Sequence, residues 1–251
     1  MTESKNIQQQ KKYRVLLIGD NCVDVYRHGT VERISPEAPV PVFKFSHEET
    51  RPGMAANVAE NLEKLGCDVD LFTGEPSKKI RLIDLKSGQH IVRIDEDVKS
   101  QAADFETRIP NFYDAVVVSD YDKGTVSYSL LNDLRNLYDG PIFIDTKKTD
   151  LSGLGGCFVK INELEFSKLK KPCRELIVTM SDKGARYGDK QFDAPKVGVV
   201  DVTGAGDTFL AALTYSYIDK GNIDEAIKFA IKASSITVQH LGVYAPTLDE
   251  I

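Results

Sequence analysis

The chain has 251 residues, of which 41% are hydrophobic and 28% charged, and its formal net charge is −6. This length can bury a substantial core, and the apolar fraction is ordinary for a globular protein. The acidic balance argues against a nucleic-acid partner, no apolar run reaches the roughly 20 residues of a membrane helix, and the scattered four cysteines and four histidines favour a reducing cytoplasm over a disulfide framework or zinc site.

Residues 1–12 are polar, and we expect a disordered tail there rather than a secretory signal, followed by one domain over residues 13–251. Short apolar runs then alternate with longer amphipathic ones, a pattern typical of β-α units around a parallel sheet. Buried strands, each followed by a polar residue, are predicted at Val15–Ile18, Ala115–Val118, Ile142–Ile144 and Leu176–Val178. Helices are predicted over residues 53–65, 127–137, 205–219 and 224–240.

Other segments have the composition of strands outside this pattern. These are Val40–Phe45 and the pair Lys79–Leu85 and His90–Asp95, which flank a Ser87-Gly88 turn. We expect them to form a small β lid, built from residues near 30–50 and 79–95. In open α/β sheets ligands bind at the carboxyl ends of the strands, and the lid would cover that edge.

The most informative stretch is Asp201–Phe209, which contains Gly204, Ala205, Gly206 and Asp207 where a helix is predicted to begin. Backbone amides at a helix N-terminus are unpaired donors at the positive end of the helix dipole, so they can bind an anion. Asp207, in the first turn, could take a proton from an alcohol that attacks a phosphoryl group. The alternative is that Asp207 is a helix-cap residue after ordinary turn glycines.

Two N-terminal stretches could bind hydroxyl groups. Asp20 and Asp24 follow the first strand and could accept hydrogen bonds from a sugar, although either could instead satisfy loop amides. Gly53 permits close approach at a helix start, and Asn57 can donate to and accept from a hydroxyl. Packing alone could explain the alanines around Asn57.

Several motifs together resemble the heptose-phosphate kinase branch of the ribokinase-like (PfkB) sugar kinases. The ten residues Arg33–Val42 read RISPEAPVPV and match that branch in full. Asp201–Asp207 also resembles the family signature D-T-x-G-A-G-D. Further matching segments are Gly19–Tyr26, Arg51–Ala59, Gln89–Asp95 and Ser119–Gly124.

The resemblance implies an α/β, ribokinase-like three-layer sandwich with a mostly parallel central sheet and a small β lid. It implies transfer of the γ-phosphoryl group of ATP to a sugar hydroxyl, from heptose 7-phosphate to the 1,7-bisphosphate, and a homodimer formed through the lid. Asp207 would be the base, with the amides of Gly204, Ala205 and Gly206 holding the transferred group. The residues expected at the sugar phosphate are Asp24, Arg51, Gly53, Asn57, Asp120 and Lys123.

The resemblance also implies nucleotide and metal sites. Asn162–Glu165 supplies the family's N-x-x-E motif, in which Glu165 would hold Mg²⁺ through water, although Glu165 could simply be a helix-start acid. Thr179–Gly184 resembles a nucleotide loop, but an ordinary hairpin turn would look the same. The expected nucleotide-binding residues are Asn162, Glu163, Leu164, Glu165, Thr179, Ser181 and Gly184. A potassium ion beside Asp201 and Thr203 is an option that the resemblance leaves open.

The chain departs from the branch in three respects. Met54 replaces a glycine and could reshape the sugar pocket, and Ile231 stands where relatives often have Asn near the adenine. The chain also lacks a strand-helix unit after Gly74 and a helix after Glu165. These departures leave two alternatives open: a kinase for another sugar or sugar phosphate, and a non-catalytic relative that binds a sugar or nucleotide.

Overall fold

A computed structural model describes residues 12–103 and 109–251, so the predicted tail lies almost entirely outside the described residues. The strands, in chain order, are β1 Arg14–Gly19, β2 Asn21–Ile34, β3 Pro41–Met54, β4 Asp68–Thr73, β5 Ser77–Asp84, β6 His90–Glu96, β7 Ala115–Asp120, β8 Ile142–Thr146, β9 Phe158–Asn162, β10 Leu176–Thr179, β11 Ala185–Tyr187 and β12 Lys190–Phe192. The helices are α1 Ala55–Lys64, α2 Tyr128–Leu137, α3 Glu163–Ser167, α4 Ala205–Lys220 and α5 Ile223–Thr237.

The main sheet has eight strands in the order β12-β11-β10-β9-β8-β7-β1-β4. The strands from β10 to β4 run parallel, whereas β11 and β12 form an antiparallel edge. The carboxyl ends of β1, β7, β8 and β9 therefore meet at one edge of the sheet. This is the edge at which a ligand site is expected.

Alternation along the central strands produces three layers. On β1, Val15 and Leu17 pack with α1, α4 and α5, whereas Leu16 and Ile18 pack with α2 on the opposite face. Because neighbouring strand residues point to opposite faces, a continuous apolar run covers both sides of the sheet. The ribokinase-like three-layer α/β architecture implied by the resemblance is thus the observed one.

A second, four-stranded sheet, hereafter the small sheet, has the order β3-β2-β5-β6. It spans more of the chain than the predicted lid segments, because β2 begins at Asn21 and β3 continues to Met54. On its inner face the cross-strand partners Asp24 and Arg51 lie beside Lys79 of β5. The guanidinium of Arg51 donates to the carbonyl of Leu241, so this face is directed at the body of the molecule.

The four predicted helices and four predicted strands are all present, with ends shifted by up to three residues. The helix predicted from residue 53 begins at Ala55, because Gly53 still pairs with Cys22 in the small sheet and Met54 has a φ of 55°. Within the described residues no helix is both long and apolar enough to cross a lipid bilayer.

Candidate active site

The first turn of α4 lies at the carboxyl edge of the main sheet. Gly204, immediately before the helix, has a φ of 80°, in the left-handed region that favours glycine. A Cβ at this position would lie 2.9 Å from the side-chain nitrogen of Asn57. Gly204 therefore allows the chain to reverse tightly against α1 and brings Asp207 beside Asn57.

Asp207 is buried, with 5% of its surface exposed, and both carboxylate oxygens accept hydrogen bonds. Asn57 Nδ2 donates to Oδ2 at 2.7 Å, and the Tyr121 hydroxyl donates to Oδ1 at 2.8 Å. Burial raises the pKa of Asp207 to about 6, although both hydrogen bonds oppose this rise. A carboxylate with such a pKa is ionised at neutral pH and is basic enough to accept a proton.

Two of the three amides assigned to the phosphate are free of protein acceptors. Within the described residues, the amides of Gly204 and Gly206 donate to no protein acceptor, whereas the Ala205 amide donates to the Val202 carbonyl over a long 3.3 Å. The helix N-terminus therefore retains unpaired donors beside Asp207. Of the three amides, that of Ala205 is therefore the least available to a phosphate group.

Lys160, which sequence reasoning missed, supplies a cation next to these amides. Its ammonium group forms an ion pair with Asp145 at 2.7 Å, and both side chains are almost fully buried. A Cβ added to Gly206 would lie 3.0 Å from Lys160 Nζ, so the positive charge adjoins the helix N-terminus. The available signal was a lysine between the apolar residues Val159 and Ile161 of β9.

Asp24, assigned to the acceptor, forms a buried ion pair with Arg81. Gly53 is needed beside it, because a Cβ there would lie 2.5 Å from both Asp24 Oδ2 and Cys22 Sγ. Arg51 stacks over the Tyr26 ring at 5.3 Å. Asp24, Arg51 and Gly53 are therefore brought together on the inner face of the small sheet, and Asn57 lies at Asp207.

Asp120 and Lys123, also assigned to the acceptor, already have protein partners. Asp120 is buried and accepts hydrogen bonds from the Thr146 hydroxyl and the Asp122 amide, and it pairs with Lys148 at 3.2 Å. Burial raises the pKa of Asp120 although these donors oppose it. Lys123 pairs with Asp97 at 2.6 Å.

Asp20 satisfies loop amides, which is the alternative to binding a sugar that the sequence left open. Its carboxylate accepts hydrogen bonds from the amides of Tyr121, Lys123 and Thr125 at 2.8–3.0 Å. It therefore holds the loop after β7 in place. That loop carries Tyr121, which lies in the matching segment Ser119–Gly124 and donates a hydrogen bond to Asp207.

On the other side of Asp207 lies an open cleft of about 870 Å³. Six of the seven residues expected at the nucleotide line it: Asn162, Glu163, Leu164, Thr179, Ser181 and Gly184. Gly206, Phe209 and Ile231 complete its inner wall. Gly184 has a φ of 88°, and a Cβ there would clash with the Phe192 carbonyl oxygen, so this turn requires glycine.

Glu165 does not line that cleft. Its Oε2 accepts a hydrogen bond from the Asn162 amide at 2.8 Å while the Asn162 side chain accepts one from the Glu165 amide, a reciprocal cap on α3. Its Oε1 contacts Lys147. Burial alone would lower the pKa of Lys147, but Asp145 and Glu165 outweigh it and raise that pKa.

Asp201 and Thr203, the residues considered for a monovalent cation, are hydrogen-bonded to each other. Asp201 Oδ1 accepts from the Thr203 amide at 3.0 Å and from its hydroxyl at 2.7 Å, and Oδ2 accepts from the Gly242 amide at 2.9 Å. These donors outweigh the effect of burial and lower the pKa of Asp201. The carboxylate thus joins the loop before α4 to the C-terminal loop.

Both the sequence and the fold of the chain are similar to those of known proteins. Residues 159–250 match the profile described as pfkB family carbohydrate kinase. The chain is 33% identical to a bifunctional protein HldE of Nitratiruptor over 96% of its length, and 32% identical to that of Hyphomonas neptunium over 95%. It spans only 64% and 62% of the length of these two relatives. The first alignment runs over 299 residues, so that relative carries insertions that this chain lacks.

Solved structures show the same fold over almost the whole chain. Ribokinase from Thermotoga maritima superposes with a TM-score of 0.70 at 16% identity, covering 96% of this chain and 98% of its own. Phosphofructokinase-2 from Escherichia coli in complex with potassium superposes with a TM-score of 0.71 at 16% identity, covering 96% and 97%. The chain thus has a ribokinase-like fold, and its residues 159–250 carry the profile described as pfkB family carbohydrate kinase.

Proposed function

We propose that the chain transfers the γ-phosphoryl group of ATP to the anomeric hydroxyl of heptose 7-phosphate, giving the 1,7-bisphosphate. The observation that carries the proposal is the environment of Asp207, a buried carboxylate with a pKa of about 6 beside the free amides of Gly204 and Gly206. The identity to HldE proteins supports the heptose acceptor.

In this reaction Asp207 accepts the proton of the attacking hydroxyl. Asn57 and Tyr121 fix the carboxylate in place, so little reorientation is needed when the acceptor binds. The two amides and the ammonium of Lys160 stabilise negative charge on the transferred group. Thr179, Ser181 and Gly184 would line the nucleotide in the cleft that they border.

Two carboxylates fit a magnesium ion that accompanies ATP. Asp145 Oδ1 is buried and has no hydrogen-bond partner in the described part of the chain. Glu165 contacts Lys147, and Asp145 and Glu165 both raise the pKa of this lysine, so the two carboxylates share one ammonium group as a neighbour. Oxygen ligands, several of them water, are what Mg²⁺ prefers. When bound, the ion would neutralise charge on the phosphates.

The acceptor side is cationic, which supports a phosphorylated sugar. Lys147 Nζ and Lys79 Nζ lie 5.0 and 5.7 Å from the centre of the Tyr121 ring, whose hydroxyl contacts Asp207. Arg51 on the small sheet adds a further positive charge. An anionic acceptor would be attracted to this side of the carboxylate.

The test is an ADP-release assay with ATP and Mg²⁺ on a panel of acceptors. Heptose 7-phosphate should give the highest kcat/KM, above unphosphorylated heptose, ribose and fructose 6-phosphate. A higher value for another sugar phosphate would replace the acceptor but retain the kinase. No ADP release with any acceptor, together with ATP binding in calorimetry, would favour the non-catalytic alternative.

A kinase for a different sugar phosphate is the second candidate, and Met54 favours it. Met54 is buried at the start of α1 with a φ of 55°, where the resembling branch has glycine. A side chain at this position, next to Gly53, could alter the acceptor pocket. Met54→Gly should then raise kcat/KM for heptose 7-phosphate relative to the other acceptors.

We also propose a homodimer formed through the small sheet. On β6, Val92 and Ile94 are each more than 40% exposed and pair with Leu82 and Ile80 across β5. An apolar sheet face of this kind is typical of an interface. Sedimentation velocity should give a dimer, and Ile94→Glu should give a monomer.

For potassium, the supporting observation is weaker, because the oxygens of Asp201 already accept three hydrogen bonds. Backbone carbonyls of the same loop would have to supply most ligands. Replacing K⁺ by tetramethylammonium in the assay tests the proposal.

The free cysteines, three of them buried, support a cytoplasmic location.

A further inference from the structure

One cluster of metal-ligating side chains lies outside the site described above. His28 of β2 and His47 of β3 are cross-strand partners, and their rings stack with centroids 4.7 Å apart and planes 9° apart. Glu49 lies two residues beyond His47 on the same strand, so its side chain shares the face of His47. Two of the four histidines of the chain and one carboxylate therefore meet on the inner face of the small sheet.

We propose that His28, His47 and Glu49 bind one divalent transition-metal ion of the Zn²⁺ class. Their donor atoms all lie within 4.8 Å of one another. A central point is then at most about 2.8 Å from each donor, against the 2.0–2.2 Å of Zn–N and Zn–O bonds, so small side-chain rotations close the site. The half-buried and exposed positions of these side chains leave room for such rotations.

The surroundings of the cluster do not prevent binding. Glu49 has one distant cation, with Arg51 Nη2 at 3.7 Å, and His47 Nδ1 lies 3.3 Å from the Ser46 hydroxyl. The Glu49–Arg51 contact is weak, because exposed ion pairs at such a distance contribute little. A metal ion would displace both contacts and bind His28, His47 and Glu49 instead. The pairing of β2 with β3 already places His28 opposite His47.

The ligand set selects a metal different from the one expected with ATP. Two imidazoles and one carboxylate suit Zn²⁺ and other late divalent ions, whereas Mg²⁺ prefers an octahedron of oxygens. Three protein ligands leave at least one coordination position for water or another ligand. His28 lies four residues along β2 from Asp24, about 13 Å at the usual strand rise, so the metal site lies farther along the strand than this acceptor residue.

Binding would cross-link β2 and β3 beyond the acceptor residues. The two strands pair from Asn21 and Met54 outward, and the register shifts just after His28. A metal bridge at His28 and His47 would hold the hairpin at this irregularity. The small sheet would then resist local opening more strongly with the metal than without it.

The experiment uses the full chain, stripped of metal with a chelator and titrated with Zn²⁺ against a chromophoric competitor, without ATP. We expect one saturable site per chain. His28→Gln, His47→Gln and Glu49→Gln should each weaken binding at least tenfold, since loss of even an outer partner of a metal ligand typically costs about 10–100-fold. His240→Gln is the matched control, because His240 stacks on Tyr244 in the C-terminal loop, and it should bind Zn²⁺ like the parent.

Hydrogen exchange on the unmodified chain provides a readout that does not depend on the variants. Zn²⁺ should slow exchange of amides in β2 and β3 around His28 and His47. The proposal is overturned if the parent shows no stoichiometric Zn²⁺ binding, if His240→Gln weakens binding as much as His47→Gln, or if exchange in this hairpin is unchanged at saturating Zn²⁺. These measurements involve no phosphoryl transfer, so their failure leaves the proposed kinase reaction unaffected.

Discussion

The two sides of Asp207 are built differently. On the acceptor side, charged residues are locked in pairs: Asp24 with Arg81, Lys123 with Asp97 and Lys148 with Asp120. On the nucleotide side, the cleft of about 870 Å³ is open, and charged side chains such as Lys160 and Glu163 line it together with small and apolar residues such as Gly206 and Phe209. The acceptor side thus consists largely of paired charges, whereas the nucleotide side combines charges with an apolar wall and main-chain donors.

This difference indicates how each side would select its ligand. A preorganised set of charges discriminates by charge and hydrogen bonding, because a wrong ligand leaves buried polar groups unpaired. A cleft of backbone and apolar groups accepts a common ligand by its shape. The acceptor side should therefore be sensitive to single charge changes, and the predictions below test this from the largest expected effect downward.

The largest expected effect is on stability, at the buried pair of the acceptor side. Arg81→Met leaves the Asp24 carboxylate buried without its cation, which should lower the free energy of unfolding by about 3–5 kcal/mol. Arg27→Met on β2 is the control, because its pair with Glu48 is about 40% exposed and should contribute less than about 1 kcal/mol. Urea unfolding of both variants measures the contrast, and equal losses would contradict the assigned difference in burial.

The next effect concerns turnover. Lys160→Met removes the cation beside Gly206 and should lower kcat by about 10²–10³-fold, the usual cost of losing one donor to a developing negative charge. Lys160→Arg should restore part of the rate. Lys168→Met, at the exposed residue that follows α3, should leave kcat unchanged. Thermal unfolding must accompany the rates, because Asp145 loses its partner in Lys160→Met. A folded Lys160→Met with unchanged kcat would remove Lys160 from the site.

Burial of Asp207 should also cost stability at neutral pH. Its pKa is about 6 in the folded chain against 3.8 for a free side chain, so the folded state binds the proton more tightly and loses stability as pH rises through 4–6. Asp207→Asn does not titrate and should be more stable than the parent by about 1–3 kcal/mol at pH 7.5. The difference should vanish near pH 4.

The control for this comparison is Asp189→Asn, in the exposed turn between β11 and β12, which should leave the pH dependence of stability unaltered. Unfolding curves at pH 4 and 7.5 decide the matter. An Asp207→Asn variant that is less stable than the parent at pH 7.5 would contradict the claim that burial of the ionised Asp207 carboxylate destabilises the folded state.

The smallest effect is a displacement of the pH profile. The kcat/KM should fall with unit slope below about pH 6, as Asp207 takes up a proton. The Tyr121 hydroxyl lowers the pKa of Asp207. Tyr121→Phe should therefore shift the pH at which kcat/KM falls to a higher value by about one pH unit, the equivalent of one charge-assisted hydrogen bond. Tyr128→Phe, on the exposed start of α2, should leave it in place.

How much the sequence predicts differs between the two sheets. The strands β1, β7, β8 and β10 are short apolar runs buried on both faces, so composition alone identifies them. The strand β2 carries Asp24, Arg27 and His28 within 14 residues and has no apolar run. Its stability depends on pairing with β3 and β5, which is a long-range property that local patterns do not contain.

The site shows the same division. The positions of Gly204, Gly206 and Asp207 can be predicted from the local sequence, because few residue types permit a tight turn immediately before a helix. Tyr121, Lys160 and Arg81 were missed because each acts through a partner 15 to 86 residues away in the sequence. Asp120 illustrates the converse. Its motif resembles an acceptor site, but its carboxylate contacts Thr146 at the end of the next strand and Lys148 two residues beyond that strand.

The central claim is that Asp207 is the base of a phosphoryl transfer, and Asp207→Asn tests it most directly. The variant should bind ATP and Mg²⁺ in calorimetry with nearly the affinity of the parent, while its kcat for the best acceptor falls by about 10²–10⁴-fold. Retention of the parent's kcat in a folded Asp207→Asn variant would contradict the claim.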